Sequence, residues 1–210
     1  LIFVDCYTSW CGPCQTLAKE VFTLDSVADF FNRHFLCVKL DIEKGKGLEL
    51  KKPFEIRAYP TLLFLDGKQQ VVHRIVGCDG AEYLMKEAGK ALDPQLNFRA
   101  MQERYMAGER ATDFILEYLN YLGHAYLEEE ANAIALQYLQ GFKEEELITS
   151  ANWKIIEKYI KDPLAIPLQV VMKRRKAFFD LAPEQEVINK LNLTCRSALL
   201  PFTRWRPDSE

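Results

Sequence analysis

Trp10-Cys11-Gly12-Pro13-Cys14 decides how the first half of this chain reads. Two cysteines separated by two residues can close a small, reversible disulfide. They follow an apolar stretch, Leu1-Ile2-Phe3-Val4, and precede an amphipathic one, Thr16 to Phe22. A Cys-x-x-Cys between a strand and a helix points to redox chemistry, because a helix start offers unpaired N–H groups and partial positive charge to a thiolate. Zinc is the competing reading. It would need two more ligands, yet there is no second Cys-x-x-Cys and no paired histidine; the three histidines stand at 34, 73 and 124.

Outward from the motif, strand and helix signals alternate. Leu1 to Tyr7 reads as a strand. Thr16 to Phe35 reads as one helix or two, with Asp25 or Ser26 as an internal N-cap. Phe35 to Asp41 is a second strand, and Gly47 to Phe54 a short helix. Thr61 to Leu65 and Gln70 to Val76 flank an Asp66-Gly67 turn as a hairpin, and Gly80 to Leu92 closes the set as a helix. This order predicts an α/β domain over residues 1–92, a central mixed sheet with flanking helices.

At Asp93-Pro94 the regime changes, with Asp93 as N-cap and Pro94 as first helical residue. Apolar residues then recur at helical spacing over Leu96–Met106, Thr112–Leu122, Leu127–Leu139, Ala151–Ile160, Leu164–Leu181 and Glu184–Leu191. Residues 93–210 therefore read as an all-α domain of five or six short helices in hairpins. The acid and base runs Glu128-Glu129-Glu130, Glu144-Glu145-Glu146 and Lys173-Arg174-Arg175-Lys176 read as solvated faces or helix ends. Tyr105, Phe114, Tyr118, Tyr121, Tyr126 and Tyr138 read as core.

The 210 residues are 49% hydrophobic and 27% charged, ordinary for a globular protein with a sizeable core. A net charge of −3 gives no strong pull toward nucleic acid or an anionic membrane. No apolar run approaches the roughly 20 residues of a membrane helix. The chain opens at Leu1 inside an apolar strand without Met, which reads as a fragment or a processed product.

Over residues 1–92 the sequence resembles the thioredoxin family. The resemblance rests on Asp5, Trp10-Cys11-Gly12-Pro13-Cys14, Tyr59-Pro60-Thr61 and Val76-Gly77, in the family's order and spacing. It implies a thioredoxin-like fold, lacking the family's first strand and helix, fused to a C-terminal all-α domain that plain thioredoxin does not have. It also implies roles. Cys11, the more exposed sulfur at the helix start, is the nucleophile, and Cys14, one turn inside, resolves the mixed disulfide. Asp5, on the strand face of Phe3 and Tyr7, is the buried acid that takes the proton of Cys14 through water; burial raises such a pKa. Pro60 matches the family's cis-proline and places Tyr59 and Thr61 where an extended substrate can pair. Trp10 covers the dithiol or is simply core, Gly12 and Pro13 set the loop, and Gly77 borders the site. Gln15 stands where a basic residue is common in the family, which removes a nearby positive charge.

Cys6 and Cys37, on neighbouring strands, are expected as buried free thiols; Cys78 lies beside the substrate loop and Cys195 near the C-terminus. The expected activity is a thiol–disulfide oxidoreductase that reduces protein disulfides through Cys11 and Cys14, with no cofactor beyond that redox-active disulfide. Its partners are a protein disulfide substrate and an electron donor. The alternative is a client-binding or scaffold protein, in which the helical domain holds a protein partner and turnover is minor. Glu20-Val21-Phe22 resembles secreted and periplasmic bacterial reductases, so the expected location is periplasmic or exported, with the cytoplasm as alternative.

Overall fold

The structure is a computed structural model and describes residues 1–203, with side chains through 196. Four strands form one mixed sheet: β1 (Ile2–Tyr7), β2 (Leu36–Asp41), β3 (Thr61–Leu65) and β4 (Val71–Val76), in the order β2-β1-β3-β4. β1 runs parallel to β2 and antiparallel to β3, and β3 runs antiparallel to β4. Central strands are covered on both faces, so their sequences lose the alternation of a half-buried strand. All five residues of β3 are buried, as are Phe3, Val4, Asp5 and Cys6 of β1.

The two faces carry separate cores. On one, Phe3, Leu62, Phe64 and Ile75 pack with Leu17, Val21, Val27, Phe31, Leu84 and Ala88 from the helices. On the other, Val4, Cys6, Leu63 and Leu65 pack with Ile42 and Ile56. Phe3 meets Phe31 and Phe64 at ring distances of 4.8 and 5.2 Å. Asp5 belongs by alternation to the Phe3 face, and Arg74 of β4, registered opposite Leu63, to the Cys6 face.

The helices of this part are α1 (Gly12–Thr16), α2 (Asp25–His34), α3 (Gly47–Lys51) and α4 (Ala81–Leu92). Between α1 and α2 the chain makes a π-helical turn over Leu17–Val21. The N-cap of α2 is Leu24, without a side-chain cap bond, rather than Asp25 or Ser26; Asp25 is its first helical residue. Asp93 differs from expectation too. It is the C-cap of α4 and its carboxylate accepts the Gln95 N–H, so the chain turns through Pro94 before α5 (Phe98–Met106) starts on an Asn97 cap. Asn97 wins because its side chain accepts the Ala100 N–H at 2.9 Å.

Six further helices follow: α6 (Thr112–His124), α7 (Glu128–Leu139), α8 (Ser150–Tyr159), α9 (Ile166–Lys173), α10 (Arg175–Phe179) and α11 (Glu184–Thr203). The single run expected over 164–181 breaks at Arg174, and α11 continues well past Leu191. The chain divides into two compact units. One contains Leu1–Glu109 and Asn120–Leu127; the other contains Arg110–Leu119 and the chain from Glu128 on. Residues 93–109 and 120–127, expected in the helical domain, thus group with the sheet. In the second unit, Trp153 donates to Glu186 at 2.7 Å and meets Phe178 at 5.8 Å. Glu144 pairs with both Lys173 and Arg174, so these charge runs hold each other as well as facing solvent.

Candidate active site

β1 delivers the chain to the motif. Beyond Tyr7 it turns through buried Thr8, and the Cys11 N–H returns to the Thr8 carbonyl at 3.2 Å. Cys11 is the N-cap of α1 with extended backbone, and Pro13 occupies the first turn, where a missing N–H costs nothing. Cys11 and Cys14 are joined as a disulfide. The Cys14 N–H lies 3.1 Å from the Cys11 Sγ, so the helix start directs a backbone donor at that sulfur. Such a donor favours the thiolate once the disulfide opens. Gln15 ties the loop from outside through its amide, which donates to the Ser9 carbonyl at 3.0 Å.

Cys11 was expected to be the more exposed sulfur. In the disulfide it is 4% exposed and Cys14 3%, so neither stands out. Exposure at the site belongs to the flanking residues Trp10, Gly12 and Pro13. Trp10, at 65% exposed, is not a core aromatic. Its indole Nε1–H donates to the Glu43 carboxylate at 2.7 Å, and its ring meets Tyr59 edge-on at 5.8 Å. Glu43 sits just past β2, in a turn closed by its own N–H to the Asp41 carboxylate. Sequence reasoning missed it, and a glutamate in a polar turn carries no signal that would single it out.

Asp5 is buried at 2% exposure, and neither carboxylate oxygen has a hydrogen-bond partner. The nearest cation, Lys39 on β2, stands 4.0 Å away. Burial pushes the Asp5 pKa up to about 6, against a smaller opposing pull from Lys39. A carboxylate so placed takes and gives a proton near neutral pH.

The peptide bond between Tyr59 and Pro60 is cis. Pro60 and Thr61 are buried, and the Thr61 hydroxyl donates to the Ala58 carbonyl at 2.7 Å. Gly77, at φ +75°, donates its N–H to the Pro60 carbonyl at 2.8 Å. The end of β4 is thereby fastened to the loop that precedes β3, and a side chain at Gly77 would be strained. Cys78 next door is half-buried, 3.4 Å from the Gly80 carbonyl, and burial raises its pKa.

Cys6 is fully buried, and burial pushes its thiol up to about 12. Cys37, expected to be buried, is exposed, because β2 is an edge of the sheet. β1–β2 register pairs Cys37 with Phe3, which puts Cys6 and Cys37 on opposite faces. Among the described residues no three His, Cys, Asp or Glu side chains are grouped to hold a metal ion.

The thioredoxin family model matches residues 1–90. Thioredoxin from Mycobacterium tuberculosis is 35% identical over 97 residues, 46% of this chain and 77% of that protein. The chain belongs to the thioredoxin family. A protein disulfide-isomerase from Datisca glomerata is 32% identical over 92 residues, 42% of this chain. The chain spans only 18% of the length of that isomerase. Among solved structures, that of a candidate disulphide-isomerase from Bacteroides thetaiotaomicron shares 50% identity, covering 44% of this chain and 77% of that one, with a TM-score of 0.41. A thioredoxin-family domain with its Cys-x-x-Cys closed as a disulfide supports thiol–disulfide oxidoreductase chemistry. No described helix is long and apolar enough to cross a membrane.

Proposed function

We propose that the sheet unit reduces protein disulfides through Cys11 and Cys14. The observation that carries this reading is the backbone N–H of Cys14 directed at the Cys11 sulfur from the start of α1, with a buried carboxylate that lacks a hydrogen-bond partner, Asp5, on the strand that feeds the motif. In the reduced protein Cys11 attacks as the thiolate. It forms a bond to one sulfur of the substrate disulfide, the substrate S–S bond breaks, and the other substrate sulfur leaves as a thiolate and is protonated. Cys14 then loses its proton to Asp5 through water and attacks the Cys11 sulfur. The mixed disulfide breaks, the second substrate thiol departs, and the Cys11–Cys14 disulfide remains. Two electrons have passed to the substrate, and a dithiol or other two-electron donor must restore the pair.

Tyr59, Pro60 and Thr61 supply the surface along which an extended substrate lies, and Trp10 with Gly12 and Pro13 supplies the exposed rim. The test is insulin reduction with dithiothreitol as donor. Cys11→Ser is expected to lose turnover. Cys14→Ser is expected to accumulate a mixed disulfide that a non-reducing gel displays. Turnover by Cys11→Ser at the wild-type rate would end the proposal. Direction is read separately by redox titration: a potential near −120 mV, typical of strong oxidants, would reverse it.

A further inference from the structure

The sheet face away from Asp5 buries an arginine that the chemistry above does not use. Arg74 of β4 is 4% exposed and lies on the face of Val4, Cys6 and Leu63. Burying a guanidinium is costly unless its donors are met, and burial does pull the Arg74 pKa down. Two donors are met by backbone. One nitrogen reaches the Phe54 carbonyl at 2.7 Å and another the Glu55 carbonyl at 2.8 Å, while Nε has no partner. Glu55 sits in the left-handed region, at φ +46°, which a non-glycine residue occupies only when held there. Phe54, Ile56 and Tyr59 lean on the same apolar cluster. Arg74 therefore fastens the segment that leads directly into Tyr59-Pro60-Thr61.

Arg74 is itself gripped. β4 is an edge strand, and its Arg74 N–H and C=O have no strand to pair with. The hydroxyl of Tyr121 takes both, accepting from the N–H at 2.9 Å and donating to the C=O at 2.7 Å. The Tyr121 ring stacks on Phe98 at 4.8 Å and faces buried His73 at 5.3 Å. Tyr121 lies beyond the residues that match the family model, yet it belongs to the sheet unit.

We propose that Arg74, clamped by Tyr121, is a positioning residue that holds residues 54–58 and so presents Tyr59-Pro60-Thr61 to protein disulfides. The proposal rests on the reductase reading for its kinetic consequence and on geometry alone for the clamp. A polypeptide substrate that lies along residues 59–61 needs that segment fixed. A small aromatic disulfide such as 5,5′-dithiobis(2-nitrobenzoate) meets only the Cys11 sulfur and does not.

Arg74→Met, Arg74→Lys and Tyr121→Phe would be compared with wild type for kcat and KM on insulin, for the rate with the small disulfide, and for amide hydrogen exchange at residues 52–58. In Arg74→Met the insulin KM is expected to rise roughly tenfold, the worth of about one charge-assisted hydrogen bond. The small-disulfide rate should stay within about twofold of wild type. Arg74→Lys reaches one carbonyl and recovers part of the KM. Exchange at 52–58 quickens in all three. An equal proportional loss on both substrates in Arg74→Met would overturn the proposal. Should that variant fail to fold, Tyr121→Phe decides through exchange: protection at 52–58 identical to wild type overturns the clamp. A wild-type protein inactive on insulin would sink the reductase reading, while the exchange comparison still rules on the clamp.

Discussion

Replacing Asp5 by asparagine gives the sharpest physical test of the site. The carboxyl is buried, its oxygens lack hydrogen-bond partners, and its pKa rises from 3.8 to about 6. At about 1.4 kcal/mol for each tenfold change in proton affinity, ionising Asp5 in the folded protein costs about 3 kcal/mol more than ionising it in the unfolded chain. The sign follows from the raised value. Below about pH 3.8 the group is protonated in both states and costs nothing. Between 3.8 and about 6 the unfolded chain releases its proton first, and stability falls. Above about 6 the whole cost is present. The amide of the Asp5→Asn variant resembles the protonated acid at every pH and escapes that cost. Guanidinium unfolding of the oxidised wild type and Asp5→Asn, run from pH 4 to pH 8, should therefore diverge. From pH 4 to pH 8 the stability of the variant relative to wild type should rise by about 2–3 kcal/mol, the cost of an unpaired amide being the same at every pH. The same variant should release mixed disulfides more slowly, because the proton of Cys14 loses its acceptor. A stability difference that does not change with pH would refute the assignment of Asp5 as a buried acid titrating near 6.

Two other substitutions test the frame around the site. His73 is buried between the Glu87 carboxylate at 3.0 Å and the Phe98 N–H at 3.2 Å, so His73→Leu removes one of the two hydrogen-bond partners of the Glu87 charge, Lys90 keeping the other at 2.7 Å, together with an acceptor for the Phe98 N–H. Burial opposes the Glu87 charge, but hydrogen bonds from His73 and Lys90 outweigh it and draw its pKa down to about 2. The variant is expected to lose about 2–4 kcal/mol at pH 7 by chemical denaturation, with a smaller loss at pH 3, between the folded value of about 2 and the unfolded 4.5, where the unfolded chain already holds the proton and part of the Glu87 contribution is gone; an equal loss at both would contradict the pairing. Gly47 packs against the Asp41 carbonyl with no room for a Cβ. Gly47→Ala is expected to cost about 1–3 kcal/mol and to loosen the turn that carries Glu43, seen as a shift in Trp10 fluorescence; a neutral effect would show that α3 moves freely.

Several parts of the site were legible because their signals are short-range. The dithiol, its strand and its helix lie within a few residues, and local geometry alone sets them at one junction. β3 matched its expected limits, Thr61–Leu65, because a five-residue, mostly apolar run between a proline and a turn is too short for a helix. Helix limits after residue 92 were less legible. Asp93 and Asn97 are both good caps, and the choice between them depends on how α4 ends, which neither residue announces. Cys37 reads as core because a free thiol on a strand beside β1 behaves as a small hydrophobe, but β2 is an edge strand and leaves it exposed.

By itself, then, the sequence marked the Cys11–Cys14 pair at a strand–helix junction by its spacing, and placed Asp5 on the Phe3 face of the strand before it by alternation. Tertiary structure decided what surrounds them. It left Asp5 without a hydrogen-bond partner, drew Glu43 to Trp10 across 33 residues, and brought Tyr121 to Arg74 across 47. It also assigned residues 93–109 and 120–127 to the sheet unit. Contacts between residues so distant are chosen by packing of the whole chain, and a single hydroxyl or carboxylate leaves no periodic trace in sequence.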